Sequence, residues 1–284
     1  MNILVTGGSG FIGRYLINNL LSYNFNITTT KRNSKNKFLF DSRINILNKG
    51  LEEIDIKDLR NIEIVVHFAC KGVSPKKASF KELEKINVQE SYRIIKLACD
   101  AGVRRFVMAG SCLEYGEEAN NWDYIPPNAI LKPICEYSKS KAKAFMILNE
   151  FAKVNDIEFF YGRIFSAYGE GQFERNFWPL LRKAALTGKN FKMTMGDQIR
   201  DFIKVEKVAC HFTNAILRND IHIYNHLVVN VGSGKGITLK EFATKEWKKF
   251  NASGKLIIGG LQSREGEILR MVANTKDLKS SSNF

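Results

Sequence analysis

The chain is short of cysteine, of acidic residues and of long apolar runs, and each shortage removes a class of protein. Its 284 residues include five cysteines, Cys70, Cys99, Cys112, Cys135 and Cys210, which are dispersed and form no CxxC pair. That spacing argues against a disulfide framework or a metal site and for reduced thiols. No stretch reaches the about 18 apolar residues that a membrane span needs, so no membrane association is expected. An apolar strand pattern begins at Ile3 and leaves no room for a signal peptide, which points to the cytoplasm. Acidic residues number 29 against 43 lysines and arginines, a formal net charge of +14. Such an excess suits an anionic partner. The cations are spread out, in short clusters such as Lys31-Arg32, Lys35 and Lys37, or Lys248-Lys249, and no basic helix carries interleaved aromatics. A solvated basic surface with a few cations reserved for phosphates is therefore expected, and no nucleic-acid partner.

What is present is an alternation of strands and helices. Ile3–Val5, Ile27–Thr30, Ile62–Ala69, Arg105–Ala109 and Ile157–Phe165 read as buried strands, and Phe80–Ala101 and Tyr137–Asn155 as helices. Gly102 is a stop signal for the first long helix, and an Asn- and Pro-containing loop covers Glu117–Pro133. The rhythm predicts an α/β fold with a doubly wound parallel sheet of the Rossmann type. It loosens after Ser166, where Phe177–Thr187 reads as helix, Asp201–Val205 as strand, Val208–Leu217 as helix and Val228–Val231 as strand. The expected division is a cofactor unit of residues 1–165 and 200–231. A smaller, discontinuous C-terminal substrate lobe takes residues 166–199 and 232–284 and covers the carboxyl ends of the sheet, where ligands bind in such folds.

Three local patterns carry chemistry. The first is Thr6-Gly-Gly-Ser-Gly-Phe-Ile-Gly13, between the first strand and a segment of helical apolar spacing. Glycines there let backbone approach a pyrophosphate, whose charge meets the N–H groups of the helix start. The second is Tyr137 and Lys141, four apart at the start of a predicted helix and so on one face. A phenol titrates near 10, and a neighbouring ammonium lowers that value and makes a tunable acid/base. Taken alone, the pair also reads as helix surface. The third is Ser111, at the end of a buried strand, where its hydroxyl can hold a substrate oxygen or merely cap the turn.

In this order on one sheet, these patterns resemble the extended short-chain dehydrogenase/reductases, the NAD(P)-dependent epimerase/dehydratase family of nucleotide-sugar enzymes. The glycine stretch resembles TGxxGxxG, His67-Phe-Ala69 resembles HLAA, and Asn87-Val88 the start of a central helix motif. Ala101-Gly-Val-Arg-Arg-Phe-Val107 followed by Ser111-Cys-Leu-Glu-Tyr-Gly116 resembles AGVKRFV followed by SSxxVYG. Tyr137 and Lys141 fall on YxxxK, Arg200-Asp-Phe-Ile203 on RDFI, and Arg264-Glu-Gly-Glu267 on RPGE. The resemblance implies that Tyr137 is the acid/base on a sugar hydroxyl or ketone. Lys141 lowers its pKa and holds the nicotinamide ribose, and Ser111 binds the reacting oxygen. It implies cofactor contacts from Thr6, Gly7, Gly10, Phe11, Ile12, Gly13, Phe68, Ala69, Tyr137 and Lys141. Substrate contacts come from Ser111, Ser166, Arg200 and Arg264, with guanidinium forks on the nucleotide diphosphate. It also implies a homodimer through the two long helices.

Departures from the pattern narrow the expectation. Lys31 and Arg32 stand at the end of the second strand, where NAD-preferring members place an acid, and this favours NADP(H) over NAD(H). Cys112 and Leu113 stand where the dehydratases carry an Asp-Glu pair, and Glu114 comes one position late and is expected to point elsewhere. Ser166 replaces the Asn of R-x-F-N-x-Y-G, and Cys135 is expected to line the pocket or the core. Only six residues follow the segment ending at Leu278, so either a reduced lobe or a sequence cut short is expected, with a more open substrate pocket as a result. The expected activity is NADPH-dependent reduction of a nucleoside-diphosphate 4-keto-6-deoxyhexose for surface polysaccharide, as in short reductases of the CDP-abequose and CDP-paratose synthase type. A nucleotide-sugar 4-epimerase with bound NAD and a non-catalytic NADP-binding regulator are the alternatives.

Overall fold

The computed structural model describes residues 1–31, 40–73, 78–221, 226–262 and 266–276. Strand β1 (Asn2–Thr6) runs through the glycine turn into helix α1 (Phe11–Leu20), and β2 (Asn26–Thr30), β3 (Asn45–Leu47) and β4 (Ile64–His67) follow. A continuous helical run joins α2 (Phe80–Leu83), a π-helical Glu84–Glu90 and α3 (Ser91–Asp100). Next come β5 (Arg105–Ser111), α4 (Glu136–Val154), β6 (Glu158–Ile164) and β7 (Ser166–Tyr168). The remainder is α5 (Phe177–Leu186), β8 (Phe191–Lys192), β9 (Ile199–Lys204), α6 (Val205–Leu217), β10 (His226–Val231), β11 (Gly236–Thr238), α7 (Leu239–Lys249), β12 (Leu256–Ile257) and β13 (Arg270–Met271).

Seven strands form one sheet in the order β10-β6-β5-β4-β1-β2-β3, and every neighbouring pair is parallel. This is the doubly wound sheet that the alternation predicts. Because side chains alternate along a strand, β1 sends Ile3 and Val5 to one face and Leu4 to the other. On the first face Leu16, Ile17 and Leu20 of α1 and Val208, Phe212 and Ile216 of α6 cover Ile64, Val66, Val107 and Phe160. On the second, Ile94, Ile95 and Ala98 of α3 and Ala144, Leu148 and Ala152 of α4 cover Val65, Phe106, Met108 and Phe159. Burying each such aliphatic or aromatic side chain contributes about 1.5–3 kcal/mol over leaving it exposed.

The order reverses at β1, which pairs with β2 on one side and β4 on the other. Thr6, His67 and Met108 lie level across β1, β4 and β5, and Ser111 extends three residues beyond them. The carboxyl ends therefore meet in a crevice at the switch point, the position such sheets offer to a ligand.

The strand at 200–204 does not follow the sequence division, which groups it with the cofactor unit. β9 pairs with β7, β11 and β13 in a separate small sheet. Asp201 accounts for this. Fully buried, its carboxylate accepts hydrogen bonds from the Ser233 and Gly234 amides at 2.7 and 3.0 Å and from the Ala273 amide at 3.1 Å. Those bonds tie β9 to the chain leaving β10 and to the segment after β13. A second lobe core joins Leu181 and Ala185 of α5 to Ala243 and Trp247 of α7 through Met193. No helix among the described residues is long and apolar enough to cross a membrane.

Candidate active site

The glycine turn is shaped by contacts that a side chain would destroy. Gly7 has φ +72°, and a Cβ there would lie 2.6 Å from the Ala69 amide nitrogen and 2.8 Å from the Phe68 carbonyl carbon. A Cβ on Gly13 would lie 2.8 Å from the Gly8 Cα. The Gly10 amide closes the turn on the Gly7 carbonyl at 2.9 Å, and no side chain of the described residues caps the start of α1. The first-turn amides therefore face the crevice without a competing carboxylate or hydroxyl, which suits an anion. Phe11 and Ile12 begin the helix, and Phe68 packs on Phe212 at 4.7 Å between ring centres, which sets the opposite wall. Thr6, expected among the cofactor contacts, has no exposed surface, and its hydroxyl lies 2.8 Å from His67 Nδ1. It braces the turn from behind. The Lys31 amide donates to the Leu47 carbonyl at 2.9 Å as the chain leaves β2; Arg32 lies outside the described residues.

At the other end of the crevice, β5 and the first turn of α4 bring Ser111, Tyr137 and Lys141 together. Ser111 is buried at the strand end, where its hydroxyl accepts from the Leu113 amide at 3.2 Å and lies beside the Tyr137 phenol. Lys141 is buried one turn further along α4, and its Nζ donates to the Ala109 carbonyl at 2.7 Å. The neighbouring π segment turns Asn87 inward, where its Nδ2 donates to the Ser140 hydroxyl at 2.9 Å and its Oδ1 accepts from the Lys71 amide at 2.7 Å. These bonds hold the loop after β4 against α4.

The electrostatics depart from the expected lowering of the Tyr137 pKa. Burial is the largest influence and pushes the phenol well above 10, and Cys70 and Glu114 push the same way, while the Ser111 hydroxyl opposes them. The Lys141 charge is spent elsewhere: after burial, it is the second cause holding His67 down, to about 3, and it opposes the upward push of burial on the Cys70 thiol. In this structure Tyr137 is a phenol at neutral pH, poised as an acid.

Cys112 is buried, and burial pushes its thiol up to about 12; Leu113 is exposed. Glu114, expected to point elsewhere, lies in the interior beside Ser111 and Tyr137. Its Oε2 accepts from Arg163 Nε at 2.7 Å, an ion pair in which both side chains are almost wholly buried. Arg163 also donates to the Pro127 carbonyl at 2.9 Å and lies 4.3 Å from the Phe145 ring centre. Cys135, expected in the pocket or core, is exposed at the start of α4.

The lobe places Ser166 and Arg200 in one cavity of about 320 Å³, with Gln172, Trp178, Gln198 and Glu267. Arg200 is held 3.6 Å from Glu267, and burial holds its guanidinium below the usual arginine range. A larger cavity of about 830 Å³ adjoins it, sharing Gln198 and Glu267 and adding Glu117, Asn120 and Lys132. Arg264 lies outside the described residues.

Sequence reasoning passed over several groups here. Cys70 directly follows the HFA motif, so its place beside Tyr137 and Lys141 was readable by extending that motif by one residue. Gln172, Trp178 and Gln198 reach the lobe cavity from segments with no motif of their own.

Residues 3–232 match the NAD dependent epimerase/dehydratase family. The CDP-abequose synthase of Salmonella typhimurium (strain LT2) is 26% identical over 290 residues, covering 98% of this chain and 91% of that protein. The UDP-glucose 4-epimerase of Erwinia amylovora is 27% identical over 276 residues, covering 85% and 80%. The solved structure of MoeE5 in complex with UDP-glucuronic acid and NAD superposes with a TM-score of 0.86 at 26% identity, covering 100% of this chain and 93% of the other. A glycine cradle, a Ser-Tyr-Lys cluster at the sheet's carboxyl edge and a match over residues 3–232 together establish that the chain is an NAD(P)-dependent enzyme belonging to the NAD-dependent epimerase/dehydratase family.

Proposed function

We propose that this enzyme reduces the ketone of a nucleoside-diphosphate 4-keto-6-deoxyhexose with NADPH. The carrying observation is the gathering of Ser111, Tyr137 and Lys141 at the end of β5, with Lys141 fixed to Ala109 and burial holding the phenol in its protonated form. When bound, the nicotinamide cofactor supplies the hydride. The chain's part is proton delivery and alignment. Ser111 Oγ holds the carbonyl oxygen, and Tyr137 gives that oxygen its proton as charge develops there. Lys141, fixed to Ala109, orients the cofactor ribose and restores charge balance around Tyr137. Gly7, Gly10 and Gly13 with the amides of Phe11 and Ile12 hold the pyrophosphate, and Phe68 and Ala69 border the cofactor. Lys31 and Arg32 receive the 2′-phosphate of NADPH. Ser166, Arg200 and Arg264 hold the nucleotide diphosphate of the sugar.

Two observations support reduction over elimination. The positions beside Ser111 are a buried thiol and an alkyl side chain, Cys112 and Leu113, neither of which expels water from a sugar. The similarity to a CDP-abequose synthase over 98% of the chain points the same way. A 4-epimerase is the second reading, favoured by the similarity to the Erwinia amylovora enzyme. A homodimer contact across α2, α3 and α4 accords with the exposed Phe80, Tyr92, Met146 and Val154 on those helices.

The test is a panel of nucleoside-diphosphate 4-keto-6-deoxyhexoses offered to the purified protein with NADPH and, separately, NADH. Consumption of NADPH only in the presence of a keto sugar is expected. Interconversion of a nucleotide hexose by protein that retains NAD through gel filtration, with no net cofactor consumption, would establish the epimerase instead.

A further inference from the structure

Ser111 rests on a side chain that belongs to neither substrate nor cofactor. Glu114 closes the short 3-10 turn Cys112–Glu114 after β5 and has no exposed surface. Its carboxylate is gripped on three sides. Oε1 accepts from the Ser111 amide at 2.7 Å and from the Tyr161 hydroxyl at 2.8 Å, and Oε2 accepts from Arg163 Nε at 2.7 Å. Gly110 makes room for this grip, because a Cβ there would lie 2.8 Å from the Tyr161 ring Cζ. The partners stand on adjacent central strands in fixed register, Gly110 beside Arg163 and Ser111 beside Ile164. An apolar pair of similar shape would hold two such strands together at least as well as a buried ion pair does, so stability alone does not account for a carboxylate here.

We propose that Glu114 is a positioning residue: clamped by Arg163 and Tyr161, its carboxylate sets Ser111 against Tyr137 and faces the phenol with a fixed negative charge, so that the pair hands a proton to a carbonyl oxygen. The inference rests on the Ser111–Tyr137 chemistry proposed above. The groups facing Tyr137 come from several elements. Cys70 approaches from the loop after β4, Cys112 and Glu114 from the turn after β5, and Tyr161 from β6, while Lys141 on its own helix is turned to Ala109. Cys112 and Tyr161 are pushed up by burial, and so is Cys70, so these stay neutral in the neutral range. The negative charge facing the phenol is that of Glu114.

The test reads Tyr137 directly on substrate-free protein, as the phenolate absorbance lost in a matching Tyr137→Phe protein. In Glu114→Gln the Tyr137 midpoint is expected to fall by about one pH unit or more. An unchanged midpoint in folded Glu114→Gln protein would overturn the proposal. Where Glu114→Gln does not fold, because Arg163 is left unpaired, Glu114→Gln/Arg163→Met takes its place with the same expectation and the same contrary result. With a keto sugar, the alkaline limb of kcat is expected to move down by the same amount while KM changes by less than about threefold. A purely structural Glu114 would lower stability and leave both the midpoint and the limb in place. A shifted midpoint without turnover of any keto sugar would count against the functional reading and leave the positioning role standing.

Discussion

Lys141 Nζ donates to the Ala109 carbonyl at 2.7 Å, which pins α4 to β5 two residues before Ser111. The bond fixes the rotation of α4 about its axis, and that rotation decides where Tyr137 meets Ser111. Ser140 adds to the same setting by donating to the Tyr137 carbonyl at 2.7 Å while accepting from Asn87. Tyr137, the proposed acid, is thus held by backbone and buried side chains.

Removing the phenol hydroxyl should therefore separate chemistry from binding. Tyr137→Phe is expected to lower kcat by about 10²–10⁴-fold while cofactor affinity stays within a few-fold. Lys141→Met is expected to weaken both, because it frees α4 from Ala109 as well as removing the proposed ribose contact. Steady-state kinetics with a parallel cofactor titration checks the split, and a Tyr137→Phe enzyme of near wild-type kcat would contradict it.

Gly7→Ala tests the cradle. The added methyl meets backbone at Phe68 and Ala69, which cannot swing aside as a side chain can, and the site has φ +72°. Cofactor affinity is expected to fall at least about tenfold, and the melting temperature to fall with it. A fluorescence titration with NADPH and NADH measures the first, and a thermal melt the second.

His67 predicts a pH dependence of stability. Buried between Thr6 and Ser91, its ring is held down to about 3 against a usual value of 6.5, first by burial and then by Lys141. The folded value lies below the unfolded one, so the unfolded chain binds the extra proton. The stabilisation is present above 6.5 and is lost as pH falls towards about 3. At full extent the loss is on the order of 5 kcal/mol. Melting temperatures from about pH 7 to about pH 4 are expected to fall more steeply for the wild type than for His67→Asn; parallel slopes would contradict the assignment.

Arg163→Met alone leaves Glu114 charged and unpaired in the core. A loss of about 3–5 kcal/mol in urea unfolding is expected, and Glu114→Gln/Arg163→Met should recover most of it. A single variant as stable as the wild type would show that the pair is dispensable.

The sheet was legible because apolar alternation and β-branched runs such as Ile64–His67 announce buried strands, and the glycine turn lies wholly within one short stretch. Ser111, Tyr137 and Lys141 were legible through motif order along the chain. The rest depends on which residues become neighbours across strands. Glu114 and Arg163 are 49 residues apart and meet only because β5 and β6 pair Gly110 with Arg163. The sheet that β9 joins is decided by hydrogen bonds from Ser233, Gly234 and Ala273 to Asp201, none of them near it in sequence. The commitment of Thr6 to His67 and the upward push on Tyr137 both follow from burial, which no local pattern encodes.

The most direct test of the account is NADPH consumption with a nucleoside-diphosphate 4-keto-6-deoxyhexose, run side by side for the wild type and Tyr137→Phe. The account predicts keto-sugar-dependent oxidation of NADPH by the wild type and its loss in the variant. Equal rates in the two proteins, or epimerisation of a nucleotide hexose on retained NAD without any net oxidation, would contradict it.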